Sequence, residues 1–373
     1  MTAYLDHAAS SPLRPEALEA MLPWFSEVHA NPTASHRRGR RARQALDDAR
    51  AVIAEATGFE RGEIVFTGGG TESDNMAIGR DHSPGTIIVG ATEHPAVLEP
   101  AVRQHARIAA ANAHGVVTVD AIKEVATPET EVVSVMAVNN ELGVIQPVSE
   151  IAAAVHEVAP GARMHTDAVQ ALPWLDLASI LDGVDVVSVT GHKLGGPQGT
   201  GAIAMRAGRA PRPLLVGGGQ ERDHRAGTQN VAGIVGFAAA VRASIDDRDE
   251  RLARIDRLAT RLLDGLVDQV DGVRPTVPRE MRVPGIVHVC IERVASEPLL
   301  FLLDERDLAC SAASSCASGA QGASHVLSAM GLDTTNVAPL RLSLGWNTTE
   351  AEIDEALRII PAAVNTIRQR SHG

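Results

Sequence analysis

The chain has 373 residues, 45% hydrophobic and 21% charged, an ordinary globular balance with apolar material for a sizeable core and length for two domains. Its formal net charge is −12 with bases and acids interspersed, which argues against direct nucleic-acid binding. No apolar run approaches a membrane span, and residues 1–30 lack a charged segment followed by an apolar one, so the expectation is a cytoplasmic protein with no membrane partner.

Residues 1–12 read as a short extended segment ending at Pro12. A helix is predicted from 15 to about 25. Turn chemistry at 31–36 leads into a helical pattern from about 37 to 57, stopped at Gly58. Its basic run, Arg37 to Arg43, reads as a solvated helix face. Residues 64–66 form a predicted strand that runs through Gly68, Gly69, Gly70 and Thr71 into a helix. That order presents backbone N–H groups to a phosphate. Thr71 serves equally as the N-cap of a plain turn. The glycines match neither a Walker loop nor G-x-G-x-x-G. Further strands are predicted at 86–89, ahead of His94; at 131–138, ahead of Asn139 and Asn140; at 163–170, through Asp167; at 184–189; and at 201–205. Apolar strands alternating with amphipathic helices indicate an α/β fold with a mostly parallel sheet covered on both faces.

Lys193 follows the strand at 184–189 in the glycine-rich loop 191–201. That is the carboxyl end of a strand, where open α/β sheets bind ligands. A lysine there forms a covalent bond to a carbonyl if desolvation or nearby cations keep its amine partly neutral. The bland alternative is a lysine on a turn. After a second glycine-rich loop, 217–228, the pattern is helical and nearly continuous from about 229 to 270. Pro275, Pro278 and Pro284 mark a connector. An α+β segment closes the chain: strand 286–292, helix 298–306, cysteine loop 310–319, helix near 324–330, strand 340–344 and helix 350–368. The three cysteines, Cys290, Cys310 and Cys316, suit neither a disulfide framework nor a zinc site. One that matters is therefore a reactive thiol; otherwise each is a small buried hydrophobe.

Lys193, Asp167, His94 and the Gly70–Thr71 turn together supply what pyridoxal 5′-phosphate needs. They offer an amine for its aldehyde, an acid for its ring nitrogen, a flat group over the ring and a phosphate cup. Singly each is weak, since Asp167 could be an N-cap and His94 a satisfied core histidine.

Around these residues stand G-G-T-E-S-D-N at 69–75, E-H-P-A-V-L at 93–98, N-N-E-L-G at 139–143, D-A-V-Q at 167–170, G-H-K at 191–193 and G-G-G-Q-E-R-D-H-R-A-G-T at 217–228. With them the sequence resembles the cysteine desulfurases of the class V aminotransferase group, from Tyr4 to Gly345. The resemblance implies a fold-type I pyridoxal phosphate-dependent transferase with a seven-stranded-type sheet. It implies a large domain over 13–240 and a small domain, 1–12 with 241–373, that carries the cysteine loop. By the same resemblance Lys193 holds the cofactor, His94 stacks on the ring and serves as acid–base partner, and Asp167 pairs with the ring nitrogen. Asn140 and Gln170 contact the substrate side and the ring oxygen. Gly70, Thr71, Thr190 and His192 bind the phosphate, joined by Thr228 from the partner subunit of a homodimer. Arg341, with Asn31 and Asn140, takes the carboxylate of L-cysteine, a task suited to a planar bidentate donor. Cys316 attacks the substrate sulfur and carries it as a persulfide to an acceptor protein, such as an iron–sulfur scaffold or a tRNA-thiolation enzyme. Threonine at 190 replaces a frequent serine, and Ala313-Ser314-Ser315 replaces a Gly-Ser-Ala-like run. The same scaffold also serves selenocysteine lyases, cysteine-sulfinate desulfinases and aminotransferases; the last would not need Cys316. The 14 histidines raise a metal hydrolase, but no H-E-x-x-H spacing supports one.

Overall fold

The computed structural model describes residues 3–80, 82–312 and 324–370. In chain order the first half contains β1 (Ala3–Tyr4), α1 (Pro15–Met21), α2 (Pro23–Ser26), α3 (Arg37–Thr57), β2 (Ile64–Thr67), α4 (Gly70–Ile78), β3 (Ile87–Gly90), α5 (Pro95–Val102), β4 (Arg107–Ala109), α6 (Val119–Val125), β5 (Val132–Ser134), α7 (Val148–Val158), β6 (Arg163–Asp167), α8 (Leu177–Ile180) and β7 (Val186–Thr190). The second half contains β8 (Gly201–Met205), α9 (Val231–Asp246), α10 (Arg248–Gln269), β9 (Val273–Pro275), β10 (Ile286–Glu292), α11 (Ser296–Asp304), β11 (Leu308–Ala309), α12 (His325–Ala329), β12 (Val337–Ser343) and α13 (Glu350–Arg370). Among the described residues no helix is long and apolar enough to cross a membrane.

The central sheet has seven strands in the order β2-β8-β7-β6-β5-β3-β4, all parallel except β8, which runs antiparallel to both its neighbours. Strands β3, β5, β7 and β8 are buried at every position, as strands sandwiched between helix layers must be. α3 shows how a covering helix is specified. His36 caps it by accepting from Gly39 N, Gly58 closes it at φ 72°, and Ala42, Leu46, Ala49 and Ile53 form its buried stripe, with α9 among the helices it contacts. The five arginines from Arg37 to Arg43 are exposed on its opposite face.

A second sheet, β12-β10-β9, is antiparallel throughout. The first strand is shared out differently from the last: β1 pairs in parallel with β11, and Asp6 bridges to Ser343 at the end of β12. α9 packs on α1 and α3, whereas α10 packs on α13 and β9.

Four expectations change in detail. The helix expected over 15–25 is two helices, broken where Pro23 opens the second. The strand expected over 131–138 is regular only through Ser134: Val135 N and Ala137 N still donate to His165 O and Asp167 O on the β6 side, but Met136 N turns to Glu93 Oε1, 2.5 Å away, instead of to β3. The strand expected over 163–170 ends at Asp167, whose Oδ1 accepts from Val169 N and turns the chain. The helical run 229–270 breaks at Asp247, at φ −95° and ψ 5°, where its carboxylate meets both Arg14 and Arg251.

Candidate active site

Parallel strands deliver the loops at their carboxyl ends to one edge of the sheet. β7 ends at Thr190 and releases Gly191, His192 and Lys193; β6 ends at Asp167; β2 leads through the glycines into α4; His94 follows β3 and Asn140 follows β5. These loops enclose a cavity of about 210 Å³, closed from the second sheet by Arg341 of β12. Gln170 and Ala8 also line it.

Lys193 Nζ donates to the carbonyls of Ala8 at 2.5 Å and Ala9 at 2.8 Å. The segment carrying those carbonyls is bound to the lysine loop. Ser11 N donates to His192 O, Ser11 Oγ to Lys193 O, and Arg14 Nε to Leu194 O. Gly195 permits this approach: its φ is 91°, and a Cβ there would lie 2.5 Å from Arg14 Cγ.

Asp167 lies on the cavity floor. Burial pushes its carboxyl up to about 6, against the pull of Val169 N–H and the Lys193 charge. His94 caps α5, its Nδ1 accepting from Ala96 N at 3.1 Å, which places the ring proton on Nε2. Burial, and then the charges of Lys193 and His325, lower its pKa to about 4, so the ring is neutral at physiological pH. His192 is lowered to about 4 by burial and by Lys193. These groups leave the floor acidic and the side wall a flat, neutral imidazole.

Beside this cavity lies an open cup of about 500 Å³ bordered by Gly68–Thr71, Thr190 and His192. The first turn of α4 opens into it, with backbone N–H groups that have no acceptor within the helix. Thr71 is exposed inside that turn; the N-cap is Gly69, at φ 148°. Thr190 Oγ1 donates to Thr200 O at 2.8 Å, and His192 Nδ1 lies 3.4 Å from Ser10 Oγ.

At the other end, Arg341 is 2% exposed. Its Nη2 donates to Asp6 Oδ1 at 2.8 Å and its Nη1 to Asn140 O at 2.9 Å, while its buried Nε has no hydrogen-bond partner. Gln170 Nε2 donates to Ala8 O. Two residues expected at the site do not line this cavity: Asn31, whose Oδ1 accepts from Thr33 N and Oγ1 in a local turn, and Thr228, exposed on the glycine-rich loop. Cys316 lies outside the described residues. The described residues on either side of its loop are held at the cavity: Ser311 exchanges backbone hydrogen bonds with Arg341, and Ser324 Oγ donates to Glu141 Oε2 at 2.6 Å. Burial, with Asp6 nearby, pushes the Cys310 thiol up to about 12. Cys290 sits on β10 against Thr276 Oγ1.

Sequence reasoning missed the Ala8 and Ala9 carbonyls, Asp6, Asp74 and Glu93. Asp6, Asp74 and Glu93 fall inside or next to recognisable motifs, but an acid's letter does not reveal that it is buried.

An aromatic aldehyde phosphate fits this arrangement. The amine, ring-facing acid, neutral imidazole and helix start surround one space. The orphaned Arg341 Nε, with Asp74 Oδ1 on the floor, marks polar capacity left for a ligand.

The sequence model of the family described as aminotransferase class-V matches residues 3–356. An IscS-like cysteine desulfurase from Mycobacterium tuberculosis is 39% identical, covering 98% of this chain and 97% of its own. Among solved structures, a NifS-like protein superposes with a TM-score of 0.91 at 31% identity, covering 98% of this chain and 100% of its own. SspA in complex with cysteine superposes with a TM-score of 0.80 at 29% identity, covering 93% and 100%.

Proposed function

Because the chain belongs to the class V aminotransferases, we propose that this cavity is the active site of a cysteine desulfurase, which takes sulfur from L-cysteine and releases L-alanine. The observation that carries the reading is the convergence of Lys193, Asp167, His94 and Arg341 on one small cavity. Pyridoxal 5′-phosphate is the cofactor, and when bound it supplies an electron sink for the substrate's α-carbon. Lys193 holds it, Asp167 faces its ring nitrogen, His94 covers the ring, and Gly70, Thr71, Thr190 and His192 border the cup for its phosphate.

The chain's own groups do the rest. Arg341, held by Asp6 and Asn140 O, receives the substrate carboxylate. Lys193 Nζ, steered by the Ala8 and Ala9 carbonyls, takes the α-proton. His94, neutral and with its proton on Nε2, can give or take a proton beside the substrate. The Cys316 thiolate attacks the substrate sulfur; a sulfur–sulfur bond forms as the carbon–sulfur bond breaks. The persulfide on Cys316 then passes to an acceptor protein. We also propose a homodimer in which Thr228 reaches the partner's phosphate cup. The working parts are 13–240, holding Lys193 and Asp167, and 1–12 with 241–373, holding Arg341 and Cys316.

The test uses the scarcity of lysine, since the sequence has only Lys123 and Lys193. Purified protein is expected to be yellow, and borohydride reduction to fix the cofactor on the peptide containing Lys193. Lys193→Ala is expected to lose both properties. A protein that takes up no pyridoxal phosphate, or labelling at Lys123, would refute the assignment.

A further inference from the structure

A line of buried polar side chains crosses the sheet beneath the cavity, and none of the steps above uses it. Ser188 on β7 is the register partner of Asp167 on β6, and Ser134 on β5 is the partner of His165, two residues before Asp167 on the same face. His165 Nε2 lies 3.0 Å from Ser188 Oγ, and its Nδ1 lies 2.8 Å from Ser134 Oγ. Ser134 Oγ reaches Glu93 Oε2 at 3.5 Å. At the other end Asp74, from α4, faces Ser188, and its Oδ1 lies 3.7 Å from His165 Nε2 with no hydrogen-bond partner. Asp74, Glu93, Ser134, His165 and Ser188 are each 1% exposed or less. Asp74 also lines the cavity beside Asp167.

Three carboxyl groups are therefore buried together beneath the cavity. Their surroundings differ. Asp167 has Val169 N–H and the Lys193 charge to favour its ionised form. Asp74 is faced by Asp167 and His165 from β6, Ser188 from β7, and Glu93; no cation is among them. Burial first, and Asp167 next, raise it well above the carboxylate range. Burial does the same to Glu93. His165 offers no positive charge, because burial lowers its pKa to about 3. Serine hydroxyls and a neutral imidazole each donate and accept, so a chain of them has two self-consistent orders of protons. With both end acids protonated no net proton passes along it, but the state of one end sets the order of donors and acceptors that the other end meets.

We propose that Asp74, joined through Ser188, His165 and Ser134 to Glu93, is a positioning residue. It is an uncharged carboxylic acid that leaves Asp167 the single carboxylate on the cavity floor, and its hydrogen-bond order is set together with that of Glu93. The consequence for the ring nitrogen rests on the proposed function, but the protonation of Asp74 does not, and the test reads that alone.

The measurement is infrared difference spectroscopy on the full chain at neutral pH, with and without pyridoxal phosphate. Asp74→Asn is expected to remove a protonated-carboxyl band. Glu93→Gln is expected to shift that Asp74 band across the width of three strands, and Ser134→Ala to abolish the shift while leaving both acids in place. If Asp74→Asn removes only carboxylate bands, or if the Asp74 band ignores Glu93→Gln, the proposal fails. Should Glu93→Gln not fold, Ser134→Ala alone is expected to move the Asp74 band, and an unmoved band overturns the coupling. None of these outcomes depends on desulfurase activity, so failure here and failure of the function are separable.

Discussion

Cys310 and Cys316 stand six residues apart in sequence and are expected to behave oppositely. A nucleophile must be a thiolate, and burial holds Cys310 as a thiol up to a pKa of about 12. Cys316→Ser is therefore expected to keep the cofactor and bind L-cysteine, while sulfide and alanine release falls by ~10³-fold or more, the scale on which loss of a nucleophile is felt. Cys310→Ser and Cys290→Ser should keep most activity; mass spectrometry after one turnover should find the extra sulfur on Cys316. A different residue reports on acid stability. His288, 2% exposed, bonds Thr276 Oγ1 at 2.6 Å, and burial lowers its pKa to about 3. Between about pH 6.5 and 3 the unfolded chain binds a proton that the folded histidine refuses. Its contribution is thus intact above pH 6.5 and is lost as pH falls, by about 1.4 kcal/mol per pH unit. His288→Asn should be less stable than wild type at pH 8, with the gap narrowing by about that slope on acidification; urea unfolding at pH 8 and 5.5 checks it.

At the scale of the element, the start of α4 lies in close contact with the end of β6. A Cβ on Gly70 would lie 2.8 Å from Val169 Cγ2, so Gly70→Ala should push the helix start from the end of β6. Overpacking of this kind costs about 1–3 kcal/mol. The expected result is about tenfold weaker pyridoxal phosphate binding by absorbance titration, restored in Gly70→Ala with Val169→Ala. Failure of the second change to restore binding would refute the contact as cause. This junction was legible in the sequence because a buried strand, three glycines and a helix pattern adjoin. The same held for Lys193 after β7 and His94 after β3, each announced by a local change from apolar strand to loop. The early parting of β5 from β3 was not legible, because Glu93 captures Met136 N from another part of the chain. Nor were the roles of Asp74 and Glu93, whose burial is decided by which strands become neighbours. The single antiparallel strand β8 likewise follows from sheet order, which periodicity does not encode.

For the whole molecule, the glycine-rich loop and the residues just before it are where the proposed homodimer can be tested. Val216 is 83% exposed and Leu215 45%, immediately before the loop that carries Thr228. Arg225 of that loop grips Glu72 beside the phosphate cup of its own chain, with Nε 2.8 Å from Oε1. Such apolar exposure beside an anchored loop fits coverage by a second copy. Val216→Asp is expected to shift sedimentation from dimer toward monomer and to lower cofactor occupancy with it; an active wild-type monomer at assay concentration would refute the dimer. The segment from Ala3 to Arg14 has a consequence in time. Its strand pairs with Leu308 and Ala309, its Asp6 holds Arg341, and its Ala8 and Ala9 steer Lys193. This segment is made before any of its partners: Ser11 and Arg14 meet the lysine loop at 192–195, whereas Ala3, Tyr4 and Asp6 wait for β11 and Arg341. The carbonyl guides of the lysine can therefore be held on one side as soon as the lysine loop is made, but on the other only once β11 and β12 are in place. The cavity is therefore completed late, and a chain halted before β12 is expected to leave it open on the Arg341 side, however well its central sheet has formed.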